Sequence, residues 1–167
     1  MPHIQGFPPI CRSDAHTLIL GSMPSRESLL RQQYYAHPRN SFWPIVTGLL
    51  DITTTDYANR TLQVTTRGIA IWDVLQACTR PSSLDSDIDD RSIVTNDFRT
   101  FFVEHPGITR VYFNGAKAES VYRVHVLPGL AARQAEIARQ RLPSTSPANA
   151  GMTVREKLEK WRVIVAT

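Results

Sequence analysis

At 167 residues, with 42% hydrophobic and 20% charged side chains, the chain holds enough apolar material for one packed domain, expected over residues 1–167. Its net charge of +4 tilts it towards a polyanionic partner without naming one. Cys11 and Cys78 lack a Cys-x-x-Cys spacing, which excludes a cysteine-built metal cage, and no apolar run reaches the roughly 18 residues of a membrane span, so a cytoplasmic protein with reduced thiols is expected.

Short apolar runs alternate with amphipathic segments, the order of an α/β sheet covered by helices on both faces. The first run is TLILGS, residues 17–22. After it comes YYAHPRNSFW, residues 34–43, dense in aromatic and hydrogen-bonding groups where an ordinary loop carries Gly, Ser and Asp. Phe42, Ile45, Val46, Leu49 and Leu50 then recur at helical spacing, with Asn40 or Ser41 as the cap and Pro44 in the tolerant first turn. GIAIWDVL, residues 68–75, reads as a buried strand entering a polar loop. Val94, Phe98, Phe101 and Phe102 mark the next helix, which ends at His105-Pro106-Gly107. TRVYFNG, residues 109–115, is the third strand, and AKAESVYRVHV the helix behind it, stopped by Pro128-Gly129. EIARQRL, residues 136–142, supplies a fourth strand that is too polar for a sheet interior. LPSTSPANAG is a loop, and Val154, Leu158 and Trp161 mark a closing helix.

In open α/β sheets a ligand binds beyond the carboxyl ends of the strands. The loops there are GSMPSRES through HPRN, WDVLQACTRPSSLDSD, NGAKAE and LPSTSPAN, all rich in uncharged hydrogen-bonding side chains.

LILGSMPS, YYAHPRNSFWPIV, GIAIWDVL with SLDSDI after it, YFNGAKAE and LPSTSPAN, in that order, resemble the uracil-DNA glycosylase superfamily, in particular its hypoxanthine-DNA glycosylase (DNA-deoxyinosine glycosylase) branch. AHPRNSFW is also similar to the matching block of the mismatch-specific uracil-DNA glycosylases, and the likeness spans roughly residues 17–155. The resemblance implies a three-layer αβα sandwich around a mainly parallel four-stranded sheet. It also implies a monofunctional, monomeric glycosylase that flips hypoxanthine or uracil out of double- or single-stranded DNA and hydrolyses the N-glycosidic bond, without cofactor or metal.

Most branches carry a Gly-x-Asn/Asp-Pro motif after the first strand, whose Asn or Asp positions the attacking water. Here Gly21-Ser22-Met23-Pro24 places a thioether at that point. The resemblance moves the water-orienting role to Asn40, whose other reading is a plain helix cap. Tyr34, Tyr35 and Phe42 supply aromatic faces, Phe42 being either the base-stacking ring or core. Trp43 is assigned to the core and His37 to a turn. Asp73 ends the second strand where related enzymes read the base edge; as a carboxylate it accepts N1–H of hypoxanthine and repels N1 of adenine, or it merely caps a turn. Asn114 is the second candidate reader, in an Asn-Gly step that is also an ordinary turn signal.

LPSTSPAN resembles the superfamily's minor-groove motif. Pro143, Ser144, Thr145 and Ser146 would face phosphates, with the N-terminal amides of the last helix, while Ala148 and Asn149 would lie near the gap left by the flipped base. The aspartate-rich run SLDSDIDD is read as a solvated loop, with Asp85 anchoring the wall of the site. Lys117 looks outward-facing, so a Schiff base and strand cleavage are not expected. A catalytically silent DNA- or nucleotide-binding module stays open because of Met23. A flavodoxin-like phosphate binder lacks its Gly-rich loop.

Overall fold

The structure, a computed structural model, describes residues 3–166; Met1, Pro2 and Thr167, part of the expected domain, lie outside the described residues. In chain order it forms β1 (His3–Gln5), β2 (Thr17–Gly21), α1 (Arg26–Arg31), α2 (Phe42–Leu49), α3 (Tyr57–Thr66), β3 (Ile69–Asp73), β4 (Leu75–Thr79) and β5 (Val94–Thr95). These are followed by α4 (Phe98–Glu104), β6 (Arg110–Asn114), α5 (Ala116–Val121), α6 (Ala132–Ala135), β7 (Ala138–Leu142) and α7 (Val154–Trp161).

Strands β3, β2, β6 and β7 bond in that order, all parallel. The two central strands are the apolar runs TLILG and RVYFN, buried on both faces as a parallel interior requires. Leu20 is in register with Trp72 and Phe113, and on their face Trp72 packs against Phe98 and Phe101 of α4 while Phe113 meets Tyr122 just past α5. One residue earlier Ile19, Ile71 and Tyr112 face the opposite way. There the Tyr112 hydroxyl donates to the Val163 carbonyl beyond α7, and Phe42 of α2 meets Trp161 of α7 edge to face. The three-layer αβα arrangement around a parallel four-stranded sheet is therefore present.

Several local expectations change. GIAIWDVL is not one strand: the chain bends at Val74, and Leu75–Thr79 leaves the parallel sheet to pair antiparallel with β1 and β5 in a second, small sheet. Val94 belongs to β5 rather than to the following helix, which starts only after Asp97, whose carboxylate accepts the Thr100 N–H. The helix after β6 loosens into a π turn at Tyr122–Val126 before Leu127–Gly129 ends it. The polar segment ARQRL does form a strand, at the sheet edge, where four of its five residues face solvent and arginines discourage further pairing.

Candidate active site

A cleft of about 720 Å³ opens at the carboxyl ends of β2, β3, β6 and β7, and the loops expected there line it. Gly21, Ser22, Met23, Tyr35, Asn40, Asp73 and Asn114 all border this cleft, as do Pro143, Ser144, Thr145, Ser146, Ala148 and Asn149. Phe42 does not. It is fully buried, and the Tyr35 ring lies over it with centroids 3.8 Å apart and planes 20° from parallel. The stacking face expected of Phe42 is thus covered by Tyr35, which lines the cleft together with Tyr34 and has Phe42 as its backing. Trp43 is core, as expected, with its indole N–H on the Tyr34 carbonyl.

Asn40 combines a local backbone bond with a place on the cleft wall. Its Oδ1 accepts the N–H of Phe42, the first residue of α2, at 2.9 Å from the position before the Ser41 cap, while the residue borders the cleft. A carbonyl oxygen has two lone pairs, so this bond orients the amide and leaves one acceptor site for water. His37 is a turn residue: its Nδ1 accepts the Arg39 N–H.

Gly21 explains itself by close approach, since a Cβ there would lie 2.6 Å from Asp73 Oδ1 and 2.8 Å from the Tyr35 hydroxyl. Asp73 is 4% exposed, and its Oδ2 is enclosed without a hydrogen-bond partner. Burial, then the nearby charge of Asp85, push its carboxyl up to about 7, against a weaker pull from Arg80. The Tyr35 hydroxyl is likewise enclosed and unpartnered, and burial together with Asp73 raises its pKa. Asp85 accepts the Ser22 hydroxyl at 2.6 Å, which fixes the cleft wall as expected. The other aspartates of that run have partners elsewhere: Asp87 takes Ser82, Asp89 takes the Arg91 N–H, and Asp90 pairs with Lys117. Sequence reasoning missed Arg80, 1% exposed behind this wall, which donates to the Pro24 carbonyl while its Nε and Nη1 have no partner. An isolated Arg before a proline carries no sequence signal of burial.

Asn114 is engaged at both ends. Its Nδ2 donates to Thr145 Oγ1 and its Oδ1 accepts the Thr145 N–H, each at 2.9 Å. Thr145 is 1% exposed, and its carbonyl accepts from the Ser41 N–H, so it ties β6 to the start of α2 and has no free face for a phosphate. Gly115, with φ of 97°, lets this loop approach: a Cβ there would lie 3.1 Å from that of Ser144. Ser144 Oγ and Ser146 Oγ accept backbone N–H groups from Ser146 and Ala148, which leaves both hydroxyl hydrogens to donate outward. The N-terminus of α7, also expected to face phosphate, is closed by a capping box between Thr153 and Glu156. Arg141 and Lys160 bring positive charge to the cleft rim instead.

This site is a cleft with an aromatic ring, an oriented amide, a buried carboxyl and a rim of hydroxyls and cations, the chemistry of a pocket for one unstacked base beside a phosphate backbone. The family model described as uracil DNA glycosylase superfamily matches residues 8–165. A hypoxanthine DNA glycosylase of Methanosarcina barkeri (strain Fusaro / DSM 804) is 36% identical over 116 residues, covering 68% of this chain and 72% of that protein. One from Methanosarcina acetivorans is 38% identical over 116 residues, with the same two coverages of 68% and 72%. A solution NMR structure of a candidate uracil DNA glycosylase from Methanosarcina acetivorans superposes with a TM-score of 0.76 at 31% identity, covering 98% of this chain and 99% of that one. The chain belongs to the uracil DNA glycosylase superfamily.

Proposed function

We propose that this DNA glycosylase removes hypoxanthine from DNA, with uracil as a second substrate, and leaves an abasic site without cutting the strand. The base swings into the cleft, Tyr35 backed by Phe42 covers one face, and Asp73 meets the lactam edge. Asn40 holds a water in line with C1′, and its carbonyl dipole faces the positive charge that develops as the bond to the base breaks. Water adds to C1′, the base leaves with the bonding pair, and the proton lost by the water passes to solvent or to the departing base. Ser144 and Ser146 steady the flanking phosphates, and Ala148 and Asn149 lie near the vacated stack. The reading includes a cytoplasmic monomer acting as one domain on duplex or single-stranded DNA.

The observation that carries this reading is the convergence of Tyr35 and Asn40, from the loop before α2, and Asp73, from the end of β3, on one cleft at the strand ends. Its test is single-turnover base release from duplexes holding one hypoxanthine or one uracil, with wild type and Asn40→Ala compared. Hypoxanthine release that disappears in the variant is the expected result. Uracil release alone moves the substrate, and DNA binding without release of either base replaces the enzyme with a silent module, as Met23 in the cleft would then suggest.

A further inference from the structure

The bases proposed as substrates share one edge chemistry: a ring N–H beside a ring C=O, N1–H and O6 in hypoxanthine, N3–H and O4 in uracil. A carboxylate meets that edge with one bond and sets its second oxygen against the ring carbonyl. A carboxylic acid meets it with two bonds, one accepted and one donated.

The surroundings of Asp73 favour the acid. Neither of its side-chain oxygens receives a hydrogen bond from the described residues, and Oδ2 is enclosed. The groups that face it come from four segments: Asp85 from the turn after β4, Arg80 from the end of β4, Tyr34 and Tyr35 from the loop before α2, and neutral Asn114 near the end of β6. Arg80 is the cation of this set, and its guanidinium donates to the Pro24 carbonyl rather than to Asp73. Its charge is shared between Asp85 and Asp73, and for Asp73 it is the weakest of the three influences, after burial and Asp85. Asp85 is held in place by the Ser22 hydroxyl. A buried carboxyl that faces a fixed like charge, with its one cation turned elsewhere, keeps its proton.

We propose that Asp73 reads the base as a carboxylic acid, accepting the ring N–H and donating its own O–H to the ring carbonyl, and that Asp85 is the positioning residue that keeps the proton there. The choice of base rests on the glycosylase reading above; the protonation of Asp73 does not. With the carboxyl pushed up to about 7, the acid predominates below that pH and is lost above it. A ring carbonyl that accepts the O–H favours the acid further. The acid is also the less selective form, because it can meet N1 and the amino group of adenine, which the carboxylate repels.

Two measurements test the assignment. The first follows the Asp73 carboxyl carbon by NMR as pH is varied, without DNA. We expect a midpoint near 7 in wild type and a midpoint about one unit lower in Asp85→Asn; a wild-type midpoint in the ordinary aspartate range overturns the proposal. The second is the pH profile of single-turnover hypoxanthine release. In wild type the rate should fall about tenfold per pH unit above the midpoint. The fall should begin at lower pH in Asp85→Asn and be absent in Asp73→Asn, whose amide supplies the same donor and acceptor at every pH. A rate that rises through pH 7 and loses that dependence in Asp73→Asn would show the carboxylate to be the reader. If no base is released at any pH, the glycosylase reading fails by itself. Binding of free hypoxanthine that weakens above pH 7 then upholds the acid, and pH-independent binding overturns it.

Discussion

Asp73 and Asn114 end the strands on either side of β2, and the sequence offers both as readers of a base edge. Their surroundings separate them. Asn114 has both ends of its amide bonded to Thr145, whereas Asp73 is equally buried and receives nothing. A buried polar group bonded at both ends is fixed in orientation by the protein; one with no bond keeps its whole bonding capacity. Asn40 stands between the two, bonding the first N–H of α2 with one lone pair while it borders the cleft.

Asn40 gives the largest expected effect. Asn40→Ala should lower single-turnover base release by about 10²- to 10³-fold, as loss of an oriented electrostatic group does. Its stability should fall by only about 1 kcal/mol, the value of one side-chain bond to a helix-start N–H. Equal losses in rate and stability in urea titrations would make that bond its only role. Asn114→Ala should act the other way, destabilising the fold by about 2–4 kcal/mol because Thr145 loses two buried partners. If it instead abolished base release in a protein of unchanged stability, the contrast with Asp73 would collapse.

Asp73→Asn should stabilise the protein at alkaline pH. The folded carboxyl titrates at about 7, well above the ordinary aspartate value of 3.8, so between these values the folded form keeps a proton that the unfolded chain has released. Wild-type stability therefore declines through that window and carries the full penalty above it. The amide escapes it, so the variant should gain about 2 kcal/mol over wild type at pH 8.5, with little gain near pH 4, read from denaturant midpoints. The smallest effect belongs to the rim. Ser144→Ala and Ser146→Ala should each weaken DNA binding about two- to fivefold by fluorescence anisotropy, without changing the rate from bound DNA.

The parallel sheet was legible because TLILG, IAIWD and RVYFN are buried on both faces, and runs of that kind have few alternatives. The small sheet was not. β1, β4 and β5 are two to five residues long and owe their conformation to one another across the chain rather than to any pattern of their own. Helix α3 escaped notice because YANRTLQVTT buries only Val64 and Thr65, too few for an apolar stripe. In the site, strand-end position brought out Asp73, the aromatic density of its block brought out Tyr35, and the family resemblance brought out Asn40. They left undecided which aromatic ring covers the other, because Tyr35 and Phe42 are both plausible rings in one short block and only packing orders them. Thr145 read as a phosphate contact because LPSTSPAN resembles the superfamily's minor-groove motif; its burial goes with its bonds to Asn114, 31 positions away.

The bend at Val74 bears on the clock of recognition. There the Val74 and Leu75 amides bond to the carbonyls of Gly21 and Ser22, while Asn96 reaches the Val74 and Asp73 carbonyls, so the backbone that carries Asp73 is gripped from both sheets. Amides clamped this way exchange with solvent only when the fold opens widely, on the slowest of a protein's timescales. Under the proposed function the base edge would therefore meet a backbone already set in place, and the motion governing each encounter would belong to the nucleotide leaving its stack.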